Sequence, residues 1–212
     1  MCFSAPASFI ASAALLGVGA TSLRMARPQH RLVAAIPVAF AVQQFTEGMQ
    51  WMFLNQGSSS QFFGYAFLFF AFMWWPTYIP IAVYAMEKKD RPWLRWVIAL
   101  GIAVSLSLFV ARMTSPLTVT VVGHSISYGV TSWMSGPIFT KFITLVEGCY
   151  MLAVMVPLLF SKVRFLQILG VTAGLAAYLS SVFYAATYIS TWCFFGAVVS
   201  SVVIWGLWRD KR

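Results

Sequence analysis

The sequence predicts an all-α protein whose seven helices cross a membrane, and three observations carry that expectation. Charged residues make up 9% of the chain against 60% hydrophobic, with a mean hydropathy of +0.81, whereas a water-soluble domain carries roughly a quarter charged residues. Apolar runs of about twenty residues recur along the chain, the length that crosses a hydrocarbon core of ~30 Å as a helix. Basic residues fall in short clusters between those runs. In lipid every backbone polar group needs an internal partner, so helices are the form such runs take. The net charge of +9 therefore does not point to nucleic acid, which would need its cations gathered on one soluble face.

The first run, 7–23, contains SFIASAALLGVGA, whose small side chains let a neighbouring helix approach closely. The second, 32–54, carries Pro37 and a polar stripe taken up below. The third, 62–86, holds Pro76 and Pro80 in WWPTYIP, and the fourth, 94–112, begins just after Pro92. A long outer loop follows at about 113–136. Within it, TVTVVGHSISYG alternates β-branched and small residues around Gly123, which reads either as a short hairpin across the outer mouth or as an irregular surface loop. The last three runs are 137–160, 165–186 and 188–208, with Pro157 in the first of them. Prolines remove helical hydrogen bonds and bend helices. Pro76 and Pro80 are accordingly the candidate gate, against the plainer reading that membrane helices tolerate proline.

Orientation follows from the cations. Arg24, Arg27 and Arg31 follow the first run, and Lys88, Lys89, Arg91 and Arg95 the third. Lys162 and Arg164 follow the fifth, and Arg209, Lys211 and Arg212 the seventh; only Arg112 and Lys141 of the 14 basic residues lie toward the other side. The positive-inside rule then predicts an N-out, C-in, multi-pass protein of the cell's inner (cytoplasmic) membrane, a single domain over 1–212. The leader MCFSAPA has no basic n-region, so no cleaved signal peptide is expected. Cys2, Cys149 and Cys193 form no CxxC pair. A Cys2–Cys193 disulfide is a candidate, since both fall toward the outer face.

The polar residues that chemistry needs concentrate in FAVQQFTEGMQWMFL, residues 40–54. Gln43, Glu47 and Gln50 recur at i, i+4 and i+7 with Gln44 beside them, a polar stripe on an apolar helix. Glu147, in FTKFITLVEGCYM, is the other acid within an apolar run, and each glutamate precedes a glycine. Both sit about 12–15 Å below the outer ends of their helices at the helical rise of ~1.5 Å per residue. A shared outward-facing cavity is therefore expected, in which two carboxylates would titrate as a pair. Acids inside a membrane cost on the order of 3 kcal/mol and are functional by default. Lys141 and Arg112 are the candidate counter-charges, Lys141 reaching Glu47 across the bundle. Tyr178 and Tyr184 add hydroxyl groups in the same outer half.

Cys2, His124 and Cys193 could join the two glutamates as a metal set, although each comes from a separate segment. No haem or retinal site is expected. His30 and His124 lie toward opposite faces, the last helix has no lysine, and no HExxH, GxSxG or P-loop signature occurs. The 9 Trp and 19 Phe read as interface belts and packing.

MCFSAPASF, IPVAFAVQQFTEGMQW, FLFFAFMWWPTYIP and TWCFF together resemble an uncharacterised bacterial seven-helix membrane-protein family whose members begin Met-Cys-Phe-Ser-Ala. The resemblance implies that Cys2, Gln44, Glu47, Trp51 and Cys193 lie in family motifs, and it implies no activity. The residues themselves favour a proton-linked transporter or channel for a small polar solute or ion, using Glu47 and Glu147. An outward-facing membrane enzyme or redox protein, and a sensor or accessory subunit of a membrane complex, are the alternatives. Lipid and the solute are the expected partners, nucleic acid is not, and an oligomer is compatible with all three readings.

Overall fold

The computed structural model describes residues 4–87, 91–113, 115–130 and 136–210. Seven helices among them are long and apolar enough to cross a membrane. They are α1 (Ala5–Met25), α2 (Pro28–Asn55), α3 (Gln61–Glu87), α4 (Leu94–Arg112), α5 (Pro137–Leu159), α6 (Arg164–Phe183) and α7 (Ala185–Arg209). Each corresponds to an expected run, with ends shifted by a few residues, and the chain is a multi-pass membrane protein. The largest shift is at the start of α2, at Pro28 rather than residue 32; at the α6–α7 junction Tyr184 leaves helical geometry and a 3-10 turn, Ala185–Thr187, starts α7 early.

The loop expected at about 113–136 contains a hairpin, which settles the choice left open above. Strands β1 (Leu117–Val122) and β2 (Ser125–Val130) pair antiparallel, Leu117 opposite Val130 and Val122 opposite Ser125. Gly123 turns the chain at φ +63°, and no non-glycine described has a positive φ. Glycine first, then an ordinary residue, is the φ pattern of a type II′ turn. Alternation does the rest: Leu117, Val119, Ile126 and Tyr128 point inward onto Trp51, Phe67, Leu68 and Cys193. Gln61 Nε2 donates to the Leu117 carbonyl at 3.0 Å and Tyr65 Oη to that of Ser115 at 2.7 Å. The hairpin is thereby fastened over the bundle as a roof.

Two helix contacts position what lies beneath it. Helix α1 lies along α2 by a buried stripe of Ser8, Ser12, Leu15, Gly19 and Ser22, the close approach that its small residues predict. Ser12 Oγ donates to the Ala41 carbonyl at 2.8 Å. In α3, Pro80 has no N–H to give the Pro76 carbonyl, and Pro76 has none for that of Phe72. The preceding turn widens into a π-helix over Phe69–Trp74, with the Trp75 N–H reaching back to the Phe70 carbonyl. Helix α4 fills the bend: Gly101 lies directly against the Pro76 carbonyl. One turn on, the Ser105 hydroxyl is 2.9 Å from the Met73 carbonyl and 2.7 Å from Thr77 Oγ1.

Pro37, expected to kink the second helix, instead falls in the first turn of its Ile36–Asn55 segment, where a missing N–H costs nothing. Glu87, one residue beyond the expected third run, is the last residue of α3 and is buried. It accepts from Ser161 Oγ and, at 3.1 Å, from the Lys162 N–H, tying the α5–α6 loop to α3.

Candidate functional site

Gln43, Gln44, Glu47 and Gln50 are all fully buried. The stripe faces protein, as a polar stripe in lipid must, but its partners are protein groups. Ser190 Oγ donates to Glu47 Oε1 at 2.5 Å and Gln44 Nε2 to Oε2 at 3.4 Å. Trp75 Nε1 donates to Gln43 Oε1 at 2.9 Å. Gln50, its amide oriented from the bonds available, donates to the Ser60 carbonyl at 2.8 Å and accepts from the Ser60 N–H at 3.3 Å. That pair pins the α2–α3 loop, so Gln50 is committed to the fold.

Glu147 stands apart. Its side chain is half exposed, and Oε1 accepts from Arg112 Nη2 at 3.0 Å. Of the two candidate counter-charges, Arg112 is the one used, because α4 packs beside α5 and ends at this height. Lys141 is exposed on α5 and reaches neither carboxylate, which corrects the expected Lys141–Glu47 contact. Tyr178 and Tyr184 point outward, 65% and 38% exposed, and belong to neither site. Helical spacing gave their height without the rotation of α6 about its axis.

A cavity of about 380 Å³ opens between α3, α4, α5 and α7 beneath the hairpin. Arg112 and Glu147 supply its charges, and Phe72, Tyr128, Tyr150, Tyr188 and Trp192 much of its wall. A second space of about 220 Å³ under β2 shares Tyr128, Glu147 and Tyr188 with it. Neither is lined by any residue of α2. Glu47 is held by Ser190, three residues before Cys193 on α7, and it is Cys193 and Tyr128 that line the cavity. The expected chamber shared by two glutamates is thus overturned: equal depth places two side chains at one level, and here α7 and β2 stand between them.

The rings were legible in the sequence only as generic packing. Tyr188 stacks on Trp192 with centroids 5.6 Å apart, and Tyr150 meets Trp192 edge-on at 5.8 Å. A signal existed: Tyr188 and Trp192 are spaced i, i+4, and Glu147 and Tyr150 i, i+3, each a pair sharing a helix face. Arg112 also lies over the Phe72 ring, 5.9 Å from its centroid.

The candidate metal residues do not gather. His124 is exposed at the hairpin turn and Cys193 is buried in the wall. Among the described residues no three His, Cys, Asp or Glu side chains form a metal-binding group. Cys2, and with it the Cys2–Cys193 pairing, lies outside the described residues. Pro76 and Pro80 are both buried, and the Pro76 carbonyl packs against Gly101 of α4, so a gate there would have to break the packing at Gly101 and Ser105.

Tyr128 ties the roof to both sites. Its ring stacks on Phe67 at 4.7 Å, nearly parallel at 9°, and its buried hydroxyl has no partner among the described residues. Burial first, then the charges of Glu47 and Cys193, push this phenol well above the ordinary tyrosine value. A raised phenol contributes stability that is whole below the unfolded value, about 10, and is lost as pH climbs past it. Thermal unfolding of the wild type is therefore expected to weaken steeply above about pH 10. Tyr128→Phe keeps the stack, should leave stability at neutral pH within about 1 kcal/mol, and should show a shallower alkaline loss. Identical alkaline profiles would remove Tyr128 from this account.

The fold and the site define a multi-pass membrane protein with a cavity of small-molecule size beneath a hairpin. The chain belongs to a family of unknown function (DUF6629), which matches it over residues 1–212, in keeping with the resemblance to an uncharacterised family. No curated protein and no solved structure matches it.

Proposed function

We propose that this protein is a transporter for a small polar solute, which binds in the cavity at Arg112 and Glu147. The observation that carries the reading is an accessible ion pair inside a cavity of about 380 Å³, within the ~300–1,000 Å³ typical of small-molecule sites. Charges at membrane depth that line a cavity mark solute paths more often than they stabilise a fold. The positive-inside rule, applied to the basic loops, supports a cytoplasmic opposite end and so an outward-facing cavity in the inner membrane. Glu47, buried behind the wall with two neutral hydrogen-bond donors, is the group that couples the step to protons.

Uptake of a panel of radiolabelled small polar solutes into liposomes bearing the purified protein tests this. At least one solute should enter, and Arg112→Gln or Glu147→Gln should each slow it by about tenfold or more, the equivalent of ~1.4 kcal/mol. Uptake that is indifferent to both substitutions would place the path elsewhere.

A further inference from the structure

We infer that the solute is a small zwitterion, a carboxylate and an alkylated ammonium a few bonds apart; this rests on the solute-binding reading above. Arg112 and Glu147 stand side by side at 3.0 Å and together contribute no net charge. A singly charged guest would satisfy one of them and leave the other facing a like charge. A zwitterion answers both. Arg112 has donors to spare: Nη2 holds Glu147 at one edge of a guanidinium group whose side chain stays 26% exposed and lines the cavity. A carboxylate matches the planar fork of a guanidinium.

The other half of the cavity suits the cation. Glu147 accepts from Arg112 through Oε1, leaving Oε2 for a positive group. Around it stand Tyr150, Tyr188 and Trp192, two rings stacked and the third edge-on. Rings set at different angles supply aromatic surface against which the methyl groups of a quaternary ammonium pack. A bare ammonium would instead seek three hydrogen-bond acceptors; beyond Glu147 the side chains of the wall offer neutral hydroxyls, those of Thr144 and the tyrosines.

Calorimetric titration of the full-length protein in lipid nanodiscs tests this with four probes: glycine betaine, glycine, choline and acetate. Glycine betaine should bind, and the other three should bind at least about tenfold more weakly. Glu147→Gln and Trp192→Ala should each weaken glycine betaine by about tenfold or more. Arg112→Lys, which keeps the charge and loses the fork, should weaken it as well. Thermal unfolding of each variant confirms that it is folded, and the three variants alter exposed or cavity-facing groups. Choline or acetate binding as tightly as glycine betaine would overturn the zwitterion while leaving a solute site in place. Glycine binding as tightly would overturn the alkylated ammonium. If none of the four binds while the liposome panel finds a substrate sensitive to Arg112, the class is wrong and the transport reading stands. If that panel is silent too, both fall.

Discussion

Gly101→Leu is expected to prevent the bundle from assembling as described, the largest structural effect we anticipate from a single substitution. A Cβ at this position would overlap the Pro76 carbonyl, a backbone atom that cannot swing aside. The contact exists because Pro80 leaves that carbonyl without a helical donor, so α4 can come in against it only where there is no side chain. The Gly101 Cα hydrogens can then face the carbonyl as weak donors. Overpacking a core by a few methylenes costs roughly 1–3 kcal/mol where side chains can adjust. Here the backbone of α3 or α4 must move, and α4 carries Leu108 and Arg112 into the cavity wall. Size-exclusion profiles and thermal unfolding in detergent read the effect. Gly17→Leu is the control, since nothing lies within contact of that position. A monodisperse Gly101→Leu protein melting like the control would refute the clamp. Ser105→Ala should cost far less, about 0.6 kcal/mol, the average for hydrogen bonds between membrane helices.

The second large effect concerns Glu47, where two substitutions separate structure from coupling. Glu47→Ala removes the acceptor of the Ser190 hydroxyl and of the Gln44 amide, both buried. Each stranded donor costs about 1–3 kcal/mol, and the lost side-chain volume adds to it. The melting temperature should fall by about 5–10 °C or more, taking a few kcal/mol over the unfolding entropy of a chain this long. Glu47→Gln keeps shape, volume and an acceptor for Ser190, so it should melt close to wild type. What it lacks is a group that can gain and lose a proton. Solute should still enter liposomes through Glu47→Gln, but an imposed pH gradient should no longer drive its accumulation. Accumulation equal to wild type would end the coupling role, while failure of Glu47→Gln to fold would assign Glu47 to structure alone.

These two residues also show where reading the chain succeeded and where it did not. Glu47 was found because a carboxylate in an apolar run stands out whatever surrounds it, and its burial followed from lipid's inability to solvate it. Its partner Ser190 was not found, since serines are common in such helices and the two are 143 residues apart. Pro76 and Pro80 were visible as missing hydrogen bonds, but their clamp by Gly101 was not, because glycine looks alike wherever it occurs. The hairpin was half legible: alternation and Gly123 suggested it, and the inward stack of Tyr128 on Phe67 emerged only with the helices beneath it.

Composition and run length were enough for the number of crossings, their approximate ends and the side on which the cations gather, because lipid imposes one solution on every apolar run regardless of its neighbours. Rotation of each helix about its axis escapes that constraint. Glu47 and Glu147 lie at matching depth in chain arithmetic, yet one is enclosed by Ser190 and Gln44 and the other opens with Arg112 onto an aromatic cavity. Which side chains meet is a product of seven helices and a hairpin packing at once, and no single stretch of the chain encodes it.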